Sequence, residues 1–291
     1  MNDTYIPKHN GKKKTIKRRR LKKQAVMWGL IFLLSVSVLI ISLTKVFGWF
    51  KDNDKTEAIA KEIIQEISVE EVLDDKETEL INKEKNPDKE SDYWSYIKQS
   101  LINVDIDSLK EKNSDTIGWI KVNNTNINYP FVQTKDNDYY LSHAFDKSNN
   151  NAGWVFLDYR NNSDFSDKNN IIYAHARRDN SMFGSLRNVL KKEWYSNKDN
   201  HVIKLSTANE NTMWQIFSVY KIPVETYYIT TQFTTSSQYK TFLETITKRS
   251  VHQFNTTVDS SDKILTLSTC SGEDDRIVVH AKLIKRSSKN T

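Results

Sequence analysis

The segment TLSTCSGEDDR, residues 266–276, contains the chain's only cysteine, Cys270, and an arginine six positions later, Arg276. A cysteine becomes a nucleophile as its thiolate, and it then needs a proton partner and a group that stabilises the charge developing on the substrate. Arginine is always protonated and presents a rigid fork of donors, so Arg276 could stabilise a thiolate, bind a substrate carbonyl or hold an oxyanion. The simpler alternatives are a small buried hydrophobic Cys270 and a surface Arg276 paired with the acids between them.

The two residues lie at the ends of two strand-like runs. Cys270 closes KILTLSTC, and Arg276 opens RIVVHAKLI after a short polar loop. Because consecutive strands joined by a short loop usually lie side by side, we expect the thiol and the guanidinium at the same rim of a sheet.

A histidine is the expected proton partner, and the chain has six. His175 closes the apolar run NNIIYAH, the same kind of position that Cys270 occupies. His280 lies within the last strand-like run, four residues after Arg276, which is roughly 13 Å along a strand. The pattern favours His175 and leaves His280 as the alternative.

Eight short runs rich in β-branched and aromatic residues predict an all-β barrel or sandwich. They are GWIKV, NINYPFV, AGWVFLDY, NNIIYAH, HVIKLST, TMWQIFSVYKI, KILTLSTC and RIVVHAKLI. Apolar residues at helical spacing in 236–250 predict one helix inserted between two late strands. Two further helices are predicted before the first strand, one starting at Ser91 or Asp92 and one capped by Asp107.

The N-terminal part of the chain predicts a membrane anchor. Residues 1–23 carry ten Lys or Arg and one acid, and residues 24–44 follow as 21 residues without a charge. An uncharged apolar stretch of this length can cross a bilayer as a helix, and basic residues beside such a span stay on the cytoplasmic side. We therefore expect residues 1–23 as a cytoplasmic tail, 24–48 as a single transmembrane anchor, and everything after residue 50 outside the cell.

The remaining boundaries follow from composition. Residues 49–90 are polar and rich in acids, with Ile59, Ile63 and Ile67 at helical spacing, and they predict an extracellular stalk and linker that includes the aperiodic stretch 82–91. The globular domain is expected over 91–286, with 287–291 as a C-terminal tail.

Charge and cysteine content exclude two other classes of protein. The chain has a net charge of +6, but the basic tail alone carries +9, so the rest of the chain is slightly acidic and does not predict a nucleic-acid-binding surface. A single cysteine excludes an intramolecular disulfide. The acids Glu273, Asp274 and Asp275 do not have the spacing of a calcium loop, and we expect no metal and no cofactor.

These residues resemble the sortase family over about 91–285. The family's cysteine motif stands here as TLSTC, residues 266–270, its arginine as Arg276, and its histidine as His175 in IIYAHARRDNSMFGSL. Ser268 and the segments GWIKV, INYPFVQTKDNDYYL and GWVFLDYRN are similar to class B sortases. Ala174 departs from the glycine that many members have before the histidine, and the loop from Cys270 to Arg276 is short.

The resemblance implies a closed eight-stranded sortase-type barrel and a cysteine transpeptidase. Such an enzyme cuts an LPxTG- or NPxTG-like sorting signal of a surface protein after Thr and transfers the protein to an amine of the peptidoglycan precursor or to another amine. It implies a catalytic set of Cys270, His175 and Arg276, in the plasma membrane of a Gram-positive bacterium. Ser268, Thr269, Asn137 and Leu141 are candidate substrate-binding residues.

Three readings stay open on the sequence. A cell-wall cysteine peptidase or amidase would use the same residues but release its product to water. A membrane-tethered binding module with an inactive site is the third.

The acidic residues 273–275 would disfavour a thiolate, and we hypothesise that they attract the cationic amine acceptor.

Overall fold

A computed structural model describes residues 23–73, 78–81, 92–270 and 275–289 of the chain. The predicted cytoplasmic tail, apart from Lys23, and the predicted linker stretch 82–91 lie outside this part. Helix α1, Lys23–Glu66, begins at the last residue of the basic tail and runs through the uncharged stretch and the polar residues that follow it. Within the described residues it is the one helix long and apolar enough to cross a membrane.

Eight strands close into a barrel. Their bounds are β4 Thr116–Val122, β5 Asn128–Val132, β6 Phe156–Leu157, β7 Asn169–His175, β8 Val202–Thr207, β9 Glu210–Pro223, β10 Ile264–Cys270 and β11 Asp275–Ser288. The order around the barrel is β10-β7-β6-β5-β4-β8-β9-β11, and pairing of β10 with β11 closes it. The closed eight-stranded barrel predicted from the sequence is confirmed, and each of the eight predicted runs overlaps one of these strands.

Three short strands lie outside the closed barrel. Strand β1, Val69–Val72, pairs antiparallel with β3, Leu101–Val104. Strand β2, Thr78–Leu80, pairs with the far end of β11. Segments of three or four residues carry too little periodicity to be recognised, so these strands could not be predicted from the sequence.

The helices after α1 are short except for the last. They are α2 Asp92–Ile97, α3 Ile106–Lys112, α4 Lys192–Ser196 and α5 Ser236–Lys248, and α5 lies between β9 and β10 as predicted. The predicted cap of α3 was wrong by two residues. Asp105 is the N-cap, since its carboxylate accepts from the backbone N–H groups of Asp107 and Ser108.

The barrel interior and its covering loops share one apolar core. The largest fully buried side chains there include Trp119, Trp154, Trp214 and Phe131. Helix α5 covers the outer face of the sheet with a second cluster, in which Tyr239 and Ile246 pack with Ile264 of β10. Both faces of the sheet near the start of β10 are therefore covered by protein.

The C-terminal part of α1 packs onto this core. Ile63 and Ile67 are 2% and 6% exposed, and both belong to the same cluster as Ile106 and Leu109 of the α3 region. Residues from Phe50 onward form one compact unit with the barrel. The described part of the range that we assigned to a stalk thus contributes side chains to the core, because its isoleucine stripe has an apolar surface to cover. The boundary at residue 91 itself stays a prediction.

Replacing Ile63 with alanine should destabilise the chain by about 2–4 kcal/mol, since it deletes a buried side chain and leaves a cavity. The matched control is Ile64→Ala on the same turn of the helix, where the side chain is 46% exposed and the expected change is below about 1 kcal/mol. Chemical denaturation of the full chain in detergent, followed by tryptophan fluorescence, measures both. Equal effects of the two variants would contradict the packing of α1 on the barrel.

Candidate active site

The ends of β7 and β10 bring the predicted histidine and cysteine together. The two strands are parallel and in register over seven pairs, from Ile264 opposite Asn169 to Cys270 opposite His175. Neighbouring strands lie about 4.8 Å apart, so the backbones of the last pair are adjacent. Both strands end at the same rim because they run in the same direction.

Strand β11 starts at this rim. It runs antiparallel to β10, and Ser268 is paired with Val278. Arg276, two residues before Val278, is half-buried and lies opposite Ile222 of β9. The structure therefore brings the backbone positions of Cys270, His175 and Arg276 to one rim of the barrel, and it places His280 further along β11.

The imidazole of His175 is held by a backbone carbonyl. Its Nε2 lies 2.8 Å from the carbonyl oxygen of Leu141, on a loop 34 residues earlier in the chain. A carbonyl oxygen can only accept, so Nε2 carries the proton in this contact. The backbone carbonyl of His175 also accepts from the N–H groups of Arg177 and Phe183, which fixes the turn that follows β7.

Gly153 forms the floor beneath the imidazole. Its φ is +62°, a region that side chains other than hydrogen rarely allow, and a Cβ built there would lie 2.5 Å from the carbonyl oxygen of Tyr140 and 2.9 Å from Cδ2 of His175. The backbone of the loop can approach the ring this closely only because the residue is glycine. Gly153 and the Leu141 carbonyl together restrict where the imidazole can lie.

Two contacts hold the end of β10 and the start of β11 at this rim. The carboxylate of Asp275 lies 2.6 Å from Nζ of Lys221 on β9. The side-chain oxygen of Thr269 accepts from the backbone N–H of Ile277 at 3.0 Å. Glu273 and Asp274 lie outside the described residues, so the hypothesis of an acidic loop that attracts the acceptor stays a prediction.

Buried hydrogen bonds join Ser268 to the segment after β9. The Ser268 hydroxyl lies 3.0 Å from the Tyr228 hydroxyl, and both side chains are buried. The side-chain amide of Asn169 donates to the carbonyls of Tyr228 and Thr230, at 3.1 and 2.9 Å. The segment 227–230 is thus fixed to the start of β7 and to the end of β10.

His280, the alternative histidine, is a member of this buried network. The Tyr220 hydroxyl lies 2.7 Å from Nε2 of His280, and the Thr266 hydroxyl lies 2.8 Å from Nδ1. Tyr227 donates to Tyr220, and Thr266 donates to the side-chain oxygen of Asn169. Both ring nitrogens are engaged inside the protein and the residue is 0% exposed. Burial lowers the pKa of His280 to about 3.

An ion pair fixes the loop after β6 to the same region. Arg160 donates twice to the fully buried carboxylate of Asp158, and Tyr173 of β7 donates to the same carboxylate. Burial would raise the pKa of Asp158, but these donors hold it below its usual value. Arg160 also donates to the carbonyl of Ile229, so this loop and the segment 227–230 are joined.

The candidate substrate-binding residues have defined places. Ser268 and Thr269 are each 1% exposed at the end of β10. Asn137 is half-buried, and its side-chain oxygen accepts from the backbone N–H of Tyr159. Leu141 contributes the carbonyl that holds His175. Their contact with substrate stays a prediction.

Comparison with known proteins agrees with this architecture. A family model described as the sortase domain matches residues 120–284. Sortase B of Listeria monocytogenes is 38% identical over 182 residues, which cover 61% of this chain and 73% of that protein. This chain belongs to the sortase family.

Solved structures of class B members are similar to this sortase. The structure of sortase B from B. anthracis in complex with AAEK1 has a TM-score of 0.64 and 33% identity, and it covers 81% of this chain and 99% of that chain. A Staphylococcus aureus sortase B–substrate complex has a TM-score of 0.59 and 36% identity, over 62% of this chain and 84% of that chain. The resemblance stated from the sequence is confirmed, and the family implies a cysteine transpeptidase.

Sequence reasoning missed the parts of the site that support His175. The Leu141 carbonyl could not have been found, because a backbone acceptor has no sequence signal. Gly153 did have a sequence signal, since an isolated glycine before an aromatic run can indicate that the backbone approaches another group closely. The hydrogen-bond network around His280 joins residues far apart in sequence, and no spacing pattern predicts it.

Acidification should lower the free energy of unfolding of this sortase, because the folded state keeps His280 neutral. The folded state holds the imidazole neutral down to about pH 3, whereas the unfolded chain protonates it near pH 6.5. The unfolded state therefore binds more protons between these values, and stability present above pH 6.5 is lost as pH falls, by up to about 1.4 kcal/mol per pH unit. The free energy of unfolding, measured by denaturant titration from pH 7.5 to 4.5, checks this.

His280→Gln is the comparison variant. It should be less stable than the wild type at pH 7.5, because the buried hydrogen bonds are disturbed, but it should lose less stability on acidification. Other buried groups with a lowered pKa, such as His201, contribute equally to the pH dependence of stability in the two proteins. Parallel pH dependence in the two proteins would show that His280 does not hold a neutral imidazole.

Proposed function

We propose that this sortase is a membrane-anchored transpeptidase that cleaves an LPxTG- or NPxTG-like sorting signal after Thr and transfers the protein to a cell-wall peptidoglycan amine. The observation that supports it best is the register that sets Cys270 opposite His175 at a shared strand end, with Arg276 at the start of the next strand. The similar S. aureus sortase B has been solved as a complex with its substrate, which supports a peptide substrate.

The proposed reaction begins with attack of the Cys270 thiolate on the carbonyl carbon of the Thr residue. The C–N bond then breaks, the acyl group remains on sulfur as a thioester, and the leaving amine takes a proton from the His175 imidazolium. In the second half, His175 removes a proton from the incoming amine, which attacks the thioester. An amide forms and the thiolate is released.

The contact of His175 with Leu141 assigns the two ring nitrogens different roles in this proposal. Nε2 donates to the carbonyl throughout, so the proton that moves in each half-reaction belongs to Nδ1. A fixed donor on one nitrogen keeps the ring in one orientation, as the partner of a catalytic histidine does in other acyl-transfer enzymes.

Arg276 is proposed to bind the substrate carbonyl and the oxyanion of the tetrahedral intermediate. The guanidinium carries a permanent charge and several donors, which suits an oxygen whose charge grows in the transition state. Asp275 is its neighbour, and Lys221 lies against that carboxylate. The lysine therefore reduces competition between the neighbouring acid and the oxyanion for the guanidinium.

The peptide is proposed to lie beside the segments 137–141 and 227–230. The first segment reaches the end of β7 through the bond of Leu141 to His175. The second is bound to the end of β10 through Ser268 and to the start of β7 through Asn169. Tyr159, whose backbone N–H binds Asn137, and Val224, three residues before the second segment, are both exposed. Asn137 and Leu141 are proposed as contacts in this groove.

The membrane anchor and the domain boundaries are part of the proposal. The apolar stretch of α1 is long enough to cross a bilayer, and the basic tail before it favours a cytoplasmic N-terminus. The catalytic domain would then act outside a Gram-positive plasma membrane, where sorting signals and the peptidoglycan precursor meet. A cysteine peptidase that only hydrolyses remains the second candidate, since it would use the same three residues.

Incubation of the full chain in detergent with LPxTG, NPxTG, SPxTG and NPQTN peptides should acylate the protein once, with loss of the peptide's C-terminal fragment. Adding a peptidoglycan-like amine should convert the adduct to an amide product. Cys270→Ala should form no adduct, and His175→Ala and Arg276→Ala should lower the rate at least 100-fold. Intact-mass spectrometry follows each species.

Arg286→Ala is the matched control, because Arg286 lies on the same strand as Arg276 and binds the exposed Glu79. It should transfer peptide at the wild-type rate. An adduct that resolves only by hydrolysis with every amine offered would favour the peptidase. A wild-type chain that alkylates readily but forms no adduct with any peptide would contradict the proposed substrate class.

A further inference from the structure

The part of α1 that follows the apolar stretch touches the loop on which His175 rests. The carboxylate of Asp52 accepts from the side-chain amide of Asn151 at 2.9 Å and from its backbone N–H at 3.3 Å. One turn later, the Thr56 hydroxyl accepts from the side-chain amide of Asn150 at 3.0 Å. Nearby, Lys55 binds Ser148 of the same loop.

Asn150 connects the helix to the turn at residues 150–153. Its side-chain amide donates to Thr56 and to the backbone carbonyl of Asp52, while its side-chain oxygen accepts from the backbone N–H of Ala152 at 2.8 Å. Its backbone carbonyl accepts from Gly153, and its backbone N–H donates to the carbonyl of Ser142. One side chain thus fixes the turn and the helix to each other.

The turn at residues 150–153 also fixes the imidazole of His175. A Cβ added to Gly153 would meet Cδ2 of His175 and the carbonyl oxygens of Tyr140 and Leu141, so the glycine backbone lies close to all three groups. The Leu141 carbonyl is the acceptor for Nε2 of His175. A displacement of the turn would therefore move both the floor under the ring and its hydrogen-bond acceptor.

Water cannot replace the contacts at the centre of this path. Thr56 is 1% exposed and Asn150 is 2% exposed, so a lost hydrogen bond there leaves a buried amide donor without its acceptor. The Asp52 carboxylate also acts on Arg177, two residues after His175. Burial lowers the pKa of Arg177, and Asp179 and Asp52 oppose that effect. The same helix turn therefore acts on both sides of the histidine.

We infer that Thr56 and Asp52 are positioning residues for His175, acting through Asn150 and Gly153, so that the segment after the membrane span is a working part of the active site. The inference rests on the proposed function only for the catalytic role of His175. It adds that a catalytic domain without residues 50–67 would lose the support of its histidine as well as part of its core.

Thr56→Val tests this, because valine keeps the shape of the side chain and removes the hydroxyl. In the full chain in detergent, kcat for acyl transfer should fall about 5- to 20-fold while KM stays within twofold. Thr56→Ser, which keeps the hydroxyl, should restore kcat to within twofold. The control is Lys61→Gln on the exposed side of the same helix, where Lys61 binds the exposed Glu57, and it should leave kcat unchanged.

A second measurement does not depend on turnover. In protein labelled with ¹⁵N-histidine, the Nε2–H proton of His175 should exchange with solvent severalfold faster in Thr56→Val than in wild type and in Thr56→Ser. Asp52→Asn should move both measurements in the same direction by a smaller factor, and it provides the test if the valine variant does not fold.

The outcomes separate the two proposals. A lower unfolding midpoint with unchanged kcat and unchanged imidazole exchange would make Thr56 a purely structural residue and overturn the inference. If the wild type transfers no peptide, the proposed function fails, while the imidazole exchange still decides whether the helix positions the histidine.

Discussion

The parallel pairing of β7 with β10 is the interaction on which the site depends. Antiparallel neighbours would place the end of one strand beside the start of the other, but two parallel strands end at the same rim. The seven-pair register then sets Cys270 beside His175. A slip by one residue would turn every side chain of one strand to the opposite face, so the buried Leu265 and Leu267 of β10 help to keep the two chemical residues aligned.

Strand pairing determines the backbone positions of the site residues. The loops and the helix outside the barrel then determine how the side chain of His175 is oriented. The imidazole of His175 takes its orientation from a carbonyl and a glycine on a loop, and that loop is tied to α1 through Asn150. The network around His280 fixes the segment after β9 in a similar way. In both places a buried asparagine satisfies several backbone groups at once, which suits a loop that must be covered and still keep its hydrogen bonds.

The sequence predicted what short-range patterns determine. The eight barrel strands followed from β-branched and aromatic runs between polar turns, and α5 followed from the spacing of residues such as Tyr239 and Ile246. The motif around Cys270 and the run ending at His175 were enough for a family resemblance. The pairing of β7 with β10 joins segments about ninety residues apart, and local periodicity does not contain that information.

The isoleucines near the C-terminal end of α1 show the same limit of sequence-based prediction. The spacing of Ile59, Ile63 and Ile67 predicted an apolar helix face. Such a pattern does not show which surface the face packs against, and the segment was therefore interpreted as a stalk. Packing against the barrel core depends on the surface left open by α3, which forms only in the folded chain. Gly153 and the Leu141 carbonyl were missed for a related reason, since their role arises from an approach of backbone to an imidazole in three dimensions.

The most direct test of the central claim, that Cys270 and His175 form one site, is the alkylation rate of Cys270 as a function of pH. The chain has a single cysteine, so iodoacetamide reports on that thiol alone. Their proximity predicts that the wild-type thiol reacts at lower pH than the thiol of His175→Ala, so that the two profiles differ in shape, because a neighbouring imidazolium stabilises the thiolate. Two profiles that superimpose after scaling would show that the thiol and the imidazole do not interact, and they would contradict the account.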